Sequence, residues 1–392
     1  MNQLLNKELD GLFQEMVEIR RHLHQHPELS FQEVKTPALI AEFHQNLGHE
    51  VRTNVGSRGV VATLKGAKPG KTIALRADFD ALPIQDAKDV SYKSTIDGVM
   101  HACGHDGHTA TLLCLAKALN KIQKELSGTI VFIHQHAEEY APGGAIEMIK
   151  DGCLDGVDYI FGTHLWATEP LGKLQYCKGP VMAAADRFEI TIHGQGGHGA
   201  QPHLTKDAIV VGSQLVMNLQ QLVSRKVDPL KSAVLSIGSF DARNAFNVIA
   251  NSAKLIGTVR TFDEGVRDLM EEEIKRVVDG TCLAADVTAD YEYIRGYPAV
   301  VNHDEETDTL VEIVSTIPDL TELEHMTPQM GGEDFAYYLQ HVKGSFFFIG
   351  ARNPEWQVAY PHHHPRFDID ERSMLIAAKA LGEIALHYTN IQ

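Results

Sequence analysis

The chain has 392 residues, 44% of them hydrophobic, and its 52 acidic side chains outweigh 35 Lys and Arg for a formal net charge of −17 at pH 7. That length exceeds what a single core usually supports, so two domains are expected. The charge argues against nucleic acid or an anionic membrane as partner, because either calls for a basic face to neutralise phosphates.

The opening stretch MNQLLNKELDGLFQEM reads as an amphipathic helix and lacks the uninterrupted apolar core of a signal peptide, so a cytoplasmic location is expected. No apolar run approaches the roughly 20 residues needed to cross a bilayer; TIVFI and SFFFIG read as strands. Five cysteines, Cys103, Cys114, Cys153, Cys177 and Cys282, make an odd number without regular spacing, which suits a reducing compartment better than a disulfide framework. Cys114, within TATLLCLAKAL, reads as a small core residue.

Along the first half, ALIAEFHQNL reads as helix, TIALRAD as strand, TATLLCLAKALNKIQ as helix, and TIVFIHQ and YIFGTH as strands. The alternation predicts an α/β fold with a mainly parallel sheet covered by helices. Functional residues in such sheets gather where strands end, which is where Asp78, Asp80, Glu138, Glu139 and His164 fall. From about Arg187 the order changes to RFEITIHG (strand), KDAIVVGSQLVMNLQQLVSR (helix), AVLSIGSF and AKLIGTVRTF (strands), VRDLMEEEIKRVVDGTCLAA (helix) and VTADYEYIRG (strand). That is βαββαβ, the split motif of a ferredoxin-like domain. A smaller domain over residues 183–296, inserted between the 1–182 and 297–392 segments of a larger one, is the simplest organisation. The chain closes on the helical ERSMLIAAKALGEIALHY.

Several motifs carry metal-liking or acid–base side chains. In MHACGHDGHTA, Cys103 and His105 stand at a helix start beside Gly104, a position that favours thiolate character; a buried thiol with a capping histidine would give the same letters. Glu138 and Glu139 follow an apolar strand, an unusual location for adjacent carboxylates, although surface acidic pairs are commonplace and the dipeptide alone would read as one. One can bind a metal while the other serves as general base, and alternation along a strand predicts that only one of the two faces a given cation. His164 ends the next strand and reads as either a ligand or a hydrogen-bonded core residue. His362, His363 and His364 precede Pro365, and spacing does not select among them. In HGQGGHGAQPH, His198 fits either a flexible loop or a hydrogen-bond donor to charge developing on a substrate oxygen. Asn247 and Arg260 have side chains suited to a carboxylate, and equally to structural roles.

Taken together, RRHLHQHPELSFQE, RADFDALP, MHACGHDGHTA, HQHAEE, GTHLWA, GQGGHGAQPH, NVIANSAKLIGTVRTF, MGGEDFAYY and HHHPRFDIDE resemble, in order and over essentially the whole chain, the M20 metallopeptidase family and in particular its amidohydrolase branch. The resemblance implies a catalytic domain holding two divalent ions (Zn²⁺, Mn²⁺, Ni²⁺ or Co²⁺) on Cys103, His105, Glu139, His164 and His363, with Glu138 as general base. It implies a lid and dimerisation domain in the insert, with His198 stabilising the tetrahedral intermediate and Asn247 and Arg260 meeting the substrate. Asp80 matches an aspartate that orients a ligand histidine two residues earlier in the peptidase branch; here that earlier position is Asp78. The implied activity is hydrolysis of a small N-acyl amino acid by a homodimer or higher homo-oligomer. The competing readings are a dipeptidase or aminopeptidase on the same core, whose substrate carries a free α-amine, and a non-catalytic metal-binding regulator, in which Glu138 would have no water to activate.

Overall fold

The structure is a computed structural model that describes residues 1–391. It divides into two compact units: one comprises Met1–Val181, Val300–Thr327 and the chain from Asp334 onward, and the other Met182–Ala299 with Pro328–Glu333.

The first unit is built on an eight-stranded sheet with neighbours in the order Glu50–Val55, Gly59–Lys65, Ser127–Gln135, Lys68–Asp78, Tyr159–Pro170, Lys343–Arg352, Lys173–Tyr176, Glu322–His325. The four central strands run parallel. Ser127–Gln135 and Lys343–Arg352 are buried at nearly every position, as expected of strands covered on both faces. The sheet is mixed at its margins. Glu50–Val55 and Gly59–Lys65 form an antiparallel hairpin that the strand–helix alternation did not predict. Its short connection is too brief for a parallel crossover, and Asn54, Gly56 and Ser57 take positive φ to close it.

Helix Asn2–Gln25 buries Leu5, Leu9, Leu12 and Met16 on one stripe and packs against helix His105–Lys121 and helix Arg372–Thr389. Helix His105–Lys121 is buried on almost every side, so its N-terminus is held rigidly where the parallel strands end. Lys68–Asp78, Ser127–Gln135 and Tyr159–Pro170 share a direction, and their C-terminal ends therefore open on one edge.

The second unit has strands Ala184–His193, Ala233–Asp241, Ser252–Thr261 and Thr288–Ile294 in one antiparallel sheet, with Ser252–Thr261 and Ala184–His193 in the middle. Helices Ala208–Arg225 and Glu264–Ala284 pack on it, capped by the Asp207 and Asp263 side chains. Phe188, Ile190 and Ile192 of the sheet meet Leu215, Leu219, Met270 and Ile274 of the helices in a core of their own. Pro328–Glu333, which the sequence pattern did not set apart, belongs with this unit. No helix among the described residues is long and apolar enough to cross a membrane.

Candidate metal centre

Cys103 precedes the helix by two residues, and Gly104 adopts φ +98° to turn the chain into it. That turn brings Cys103 Sγ to 3.3 Å from His164 Nε2. His105 Nδ1 lies 3.0 Å from the Asp80 carbonyl and 3.2 Å from Asp80 Oδ1, both acceptors, so its proton sits on Nδ1. Its Nε2 is buried without a hydrogen-bond partner and faces acid: Asp78 Oδ2 at 3.8 Å, Glu139 Oε1 at 3.9 Å and Glu138 Oε2 at 4.0 Å. His363 Nε2 lies 3.2 Å from Glu139 Oε1, its backbone in the left-handed region at φ +64° with its N–H donated to the Ala102 carbonyl.

The donor atoms of Cys103, His105 and His164 thus gather within 4.8 Å of one another, and those of Cys103, Glu139 and His363 do the same. Cys103 belongs to both groups. A third group joins His105 with Glu138 and Glu139. Both carboxylates therefore face the same imidazole, contrary to the expectation from strand alternation. The reason is local: Ala137 takes φ +52°, which ends the extended conformation before the pair.

The electrostatics fit a divalent cation. Burial opposes a charge on His105, yet Asp78, Asp80 and Glu139 outweigh it and push the imidazole pKa up to about 10. Burial, then Glu139, Glu138 and Asp78, drive the Cys103 thiol well above its ordinary range. His164 is held well below its usual value by burial and by His108. A site that raises a thiol and a histidine through crowded carboxylates lacks positive charge; a cation would reverse the first shift and take up the open Nε2. A thiol, imidazoles and carboxylates make a donor set suited to zinc, cobalt, nickel or manganese.

Residues outside the expected set complete the support. His108 Nδ1 bonds Asp78 Oδ1 at 2.6 Å and its Nε2 accepts the Leu165 N–H at 3.0 Å, so this third histidine of MHACGHDGHTA is fully engaged. Arg76 donates to Asp78, Gln135 and Asp334, tying two parallel strands to helix Phe335–Leu339. His362 Nε2 donates to the Leu165 carbonyl. The acids at strand ends were the available signal for Asp78; nothing in spacing marked His108 as a bracing residue.

The other expected site residues lie in the second unit. His198 pairs with Val248 across two short strands, and the Gly199 N–H donates to the Asn247 carbonyl, so His198 and Asn247 are neighbours there. The His198 side chain is exposed, its Nδ1 accepting from the Ala200 N–H. Arg260 is elsewhere. It pairs with Ala185 near the opposite end of the strand from Ser252, which pairs with His193. Eight residues of strand at about 3.3 Å each separate the two ends. Its guanidinium donates to Thr258 Oγ1 and to the Val259 carbonyl.

This fold agrees with the comparisons. The model for peptidase family M20/M25/M40 matches residues 74–387, and the chain belongs to that family. It is 61% identical over 384 residues to YhaA of Bacillus subtilis (strain 168), covering 98% of this chain and 97% of that one. An N-acyl-L-amino acid amidohydrolase of Geobacillus stearothermophilus is 48% identical over 297 residues, 76% of this chain and 80% of the other. The crystal structure of Bacillus subtilis YXEP, described as a dinuclear metal binding peptidase from the M20 family, superposes with a TM-score of 0.83 at 35% identity, covering 97% of this chain and 99% of that chain.

Proposed function

We propose that the protein is a metal-dependent amidohydrolase that cleaves the amide bond of N-acyl amino acids, releasing a carboxylic acid and an amino acid. The observation that carries this reading is the pair of donor groups sharing Cys103, with a further carboxylate, Glu138, beside them. Cys103, His105, Glu139, His164 and His363 would hold two divalent ions, with Cys103 common to both. Such ions supply Lewis acidity toward an amide carbonyl and toward water.

The chain's own part is proton handling and orientation. Glu138 takes the proton of the attacking water on its carboxylate and returns it to the leaving nitrogen. Asp80 fixes the His105 tautomer, and Asp78 does the same for His108. In the second unit, His198 is assigned to the oxyanion that forms on attack, and Asn247 and Arg260 to polar groups of the substrate. That unit, approximately residues 183–296, is assigned the role of a ferredoxin-like lid and pairing domain. Its two-helix, four-stranded antiparallel sheet supports the fold half of that reading. Val210 and Met217, exposed on the outer face of helix Ala208–Arg225, support pairing with a second copy.

The test is a panel of N-acetyl, N-benzoyl, N-indoleacetyl and N-succinyl amino acids beside unblocked dipeptides, each assayed with Zn²⁺, Mn²⁺, Ni²⁺ or Co²⁺ supplied. Turnover confined to the acylated members supports the proposal. Preference for free dipeptides moves the assignment to a peptidase, and no turnover with either class overturns it.

A further inference from the structure

The stretch RRHLHQHPELSFQE, Arg20–Glu33, supplies none of the donor atoms described above, yet its polar side chains reach the segments that carry them. Arg20 Nε donates to Asp106 Oδ2 at 2.8 Å, and His24 Nδ1 lies 2.7 Å from the same oxygen; Asp106 follows His105 directly. Ser30 Oγ donates to Asp80 Oδ2 at 2.7 Å, the carboxylate that orients His105. Glu33 Oε1 accepts the Ala137 backbone N–H at 3.0 Å, one residue before Glu138.

The last of these contacts falls where the backbone most needs holding. Ala137 is a non-glycine residue at φ +52°, a costly conformation that persists only where its surroundings impose it. Three hydrogen bonds do so: Ala137 N–H to Glu33, Gly144 N–H to the Ala137 carbonyl at 3.1 Å, and Glu139 N–H to Asp80 Oδ2 at 3.0 Å. Two buried carboxylates thereby grip the amides on either side of Glu138. The strand ends at Gln135 and the bend at Ala137 lies upstream of both side chains, so it sets the direction in which Glu138 and Glu139 together leave the strand end.

Glu33 is an expensive residue to place there. It is fully buried, and its second oxygen has no hydrogen-bond partner, the nearest cation being Arg58 Nε at 3.9 Å. Burial, and then the neighbouring Asp80, push its pKa up to about 7. A residue that only filled space at this point would be apolar, because an acid buried with so little compensation costs stability. The acceptor oxygen is what an apolar side chain lacks.

We propose that Glu33 is a positioning residue: by accepting the Ala137 N–H it fixes the left-handed bend that turns Glu138 and Glu139 together toward His105. The inference rests on the roles proposed above for that pair, but its first test requires no activity. Glu33→Gln keeps an acceptor oxygen, and Glu33→Leu removes it at similar volume. In metal-free protein, hydrogen–deuterium exchange in the peptide 134–142 is expected to quicken about tenfold or more in Glu33→Leu and to stay at the parent rate in Glu33→Gln, as loss of a buried hydrogen bond implies. In metal-loaded protein assayed on an N-acyl amino acid that the parent hydrolyses, kcat falls about tenfold or more in Glu33→Leu through misplacement of the reacting group, with KM and metal content near those of the parent, and Glu33→Gln restores it. Parent-like exchange in Glu33→Leu, or exchange in Glu33→Gln as fast as in Glu33→Leu, overturns the positioning role. Should Glu33→Leu not fold, Glu33→Gln decides alone: parent exchange in 134–142 supports the role, and a rise of about tenfold, the size expected of a lost buried hydrogen bond, overturns it. Were the parent itself inactive on every acyl amino acid, the functional reading would fail while the exchange result stood.

Discussion

Asp80 and His105 are locked to one another twice, since the same Nδ1 lies 3.2 Å from the Asp80 carboxylate and 3.0 Å from its carbonyl. The imidazole is thereby committed to presenting Nε2 to the carboxylates opposite. Sequence alone left this aspartate without a clear duty, because the position two residues before it holds Asp78 rather than histidine. Asp80→Ala is expected to weaken metal binding about 10- to 100-fold, as loss of an orienting partner behind a ligand histidine typically does. Metal titration of the purified variant checks it, and an affinity equal to that of the parent would remove Asp80 from the support of the site.

Cys103 is the common member of two donor groups, so its loss should be felt at both. Cys103→Ala is expected to retain at most one ion and to lose most activity while keeping the parent's circular dichroism. Elemental analysis decides: a full complement of metal in that variant would mean that the thiol is a packing group, whatever its position.

How much of this was legible follows from what each signal encodes. Helix Asn2–Gln25 and strand Ser127–Gln135 were readable because burial imposes a period on the sequence, one stripe in the first and a continuous apolar run in the second. Cys103, His105, Glu139, His164 and His363 were singled out by motif and family resemblance, and the fold brings their donor atoms together although up to 260 positions separate them in the sequence. The direction of Glu138 was not legible, because it depends on the φ of Ala137, and an alanine gives no warning of a left-handed backbone. Nor was the separation of Arg260 from Asn247, since strand register across the second unit is set by pairing partners far away in sequence. The hairpin at Asn54–Ser57 escaped the strand–helix grammar because its turn is written in residues that are only permissive for positive φ.

Acid should destabilise the metal-free protein before its carboxylates protonate. His44, His49 and His134 form a chain of imidazoles, His44 bonding His49 and His134 at 2.9 Å each. Burial first, and neighbouring histidines for His44, push His44 down to about 2 and His134 down to about 3. Below pH 6.5 the unfolded chain takes up protons that these folded imidazoles refuse, so stability present above that pH is lost as pH falls, by about 1.4 kcal/mol per pH unit per group. His105, raised to about 10, opposes this trend while the unfolded imidazole gains its proton around pH 6.5, and adds little once both states are protonated. Glu33, raised to about 7, also acts against the trend but is a single group. Urea unfolding of metal-free protein at pH 7 and pH 5 should therefore give the lower stability at pH 5, with a smaller difference in His134→Gln. Equal stability at the two pH values would show that the chain admits a proton without cost.

Glu138 and Glu139 both lie within 4.0 Å of His105 Nε2, at 4.0 and 3.9 Å, so proximity to one imidazole does not assign their separate tasks. A second contact distinguishes their surroundings and supports the proposed division: Glu139 Oε1 is 3.2 Å from His363 Nε2 and shares a donor group with Cys103, whereas Glu138 is absent from that group. Glu139→Gln should therefore weaken metal binding, because a neutral amide is a poor ligand for a divalent ion. Glu138→Gln removes the proton acceptor while preserving shape and polarity, so its metal content should match the parent's. General acid–base assistance is worth about 10²–10⁴-fold, and a group serving both proton transfers should fall at or above the upper end of that range. Turnover of an N-acyl amino acid and metal content, measured on both variants, separate the two roles. A Glu138→Gln enzyme that keeps more than about a tenth of the parent rate is incompatible with that loss and removes the general-base assignment. If instead Glu138→Gln sheds its metal and Glu139→Gln holds it, the roles are reversed, and the contact with His363 is an ion pair of the metal-free site alone.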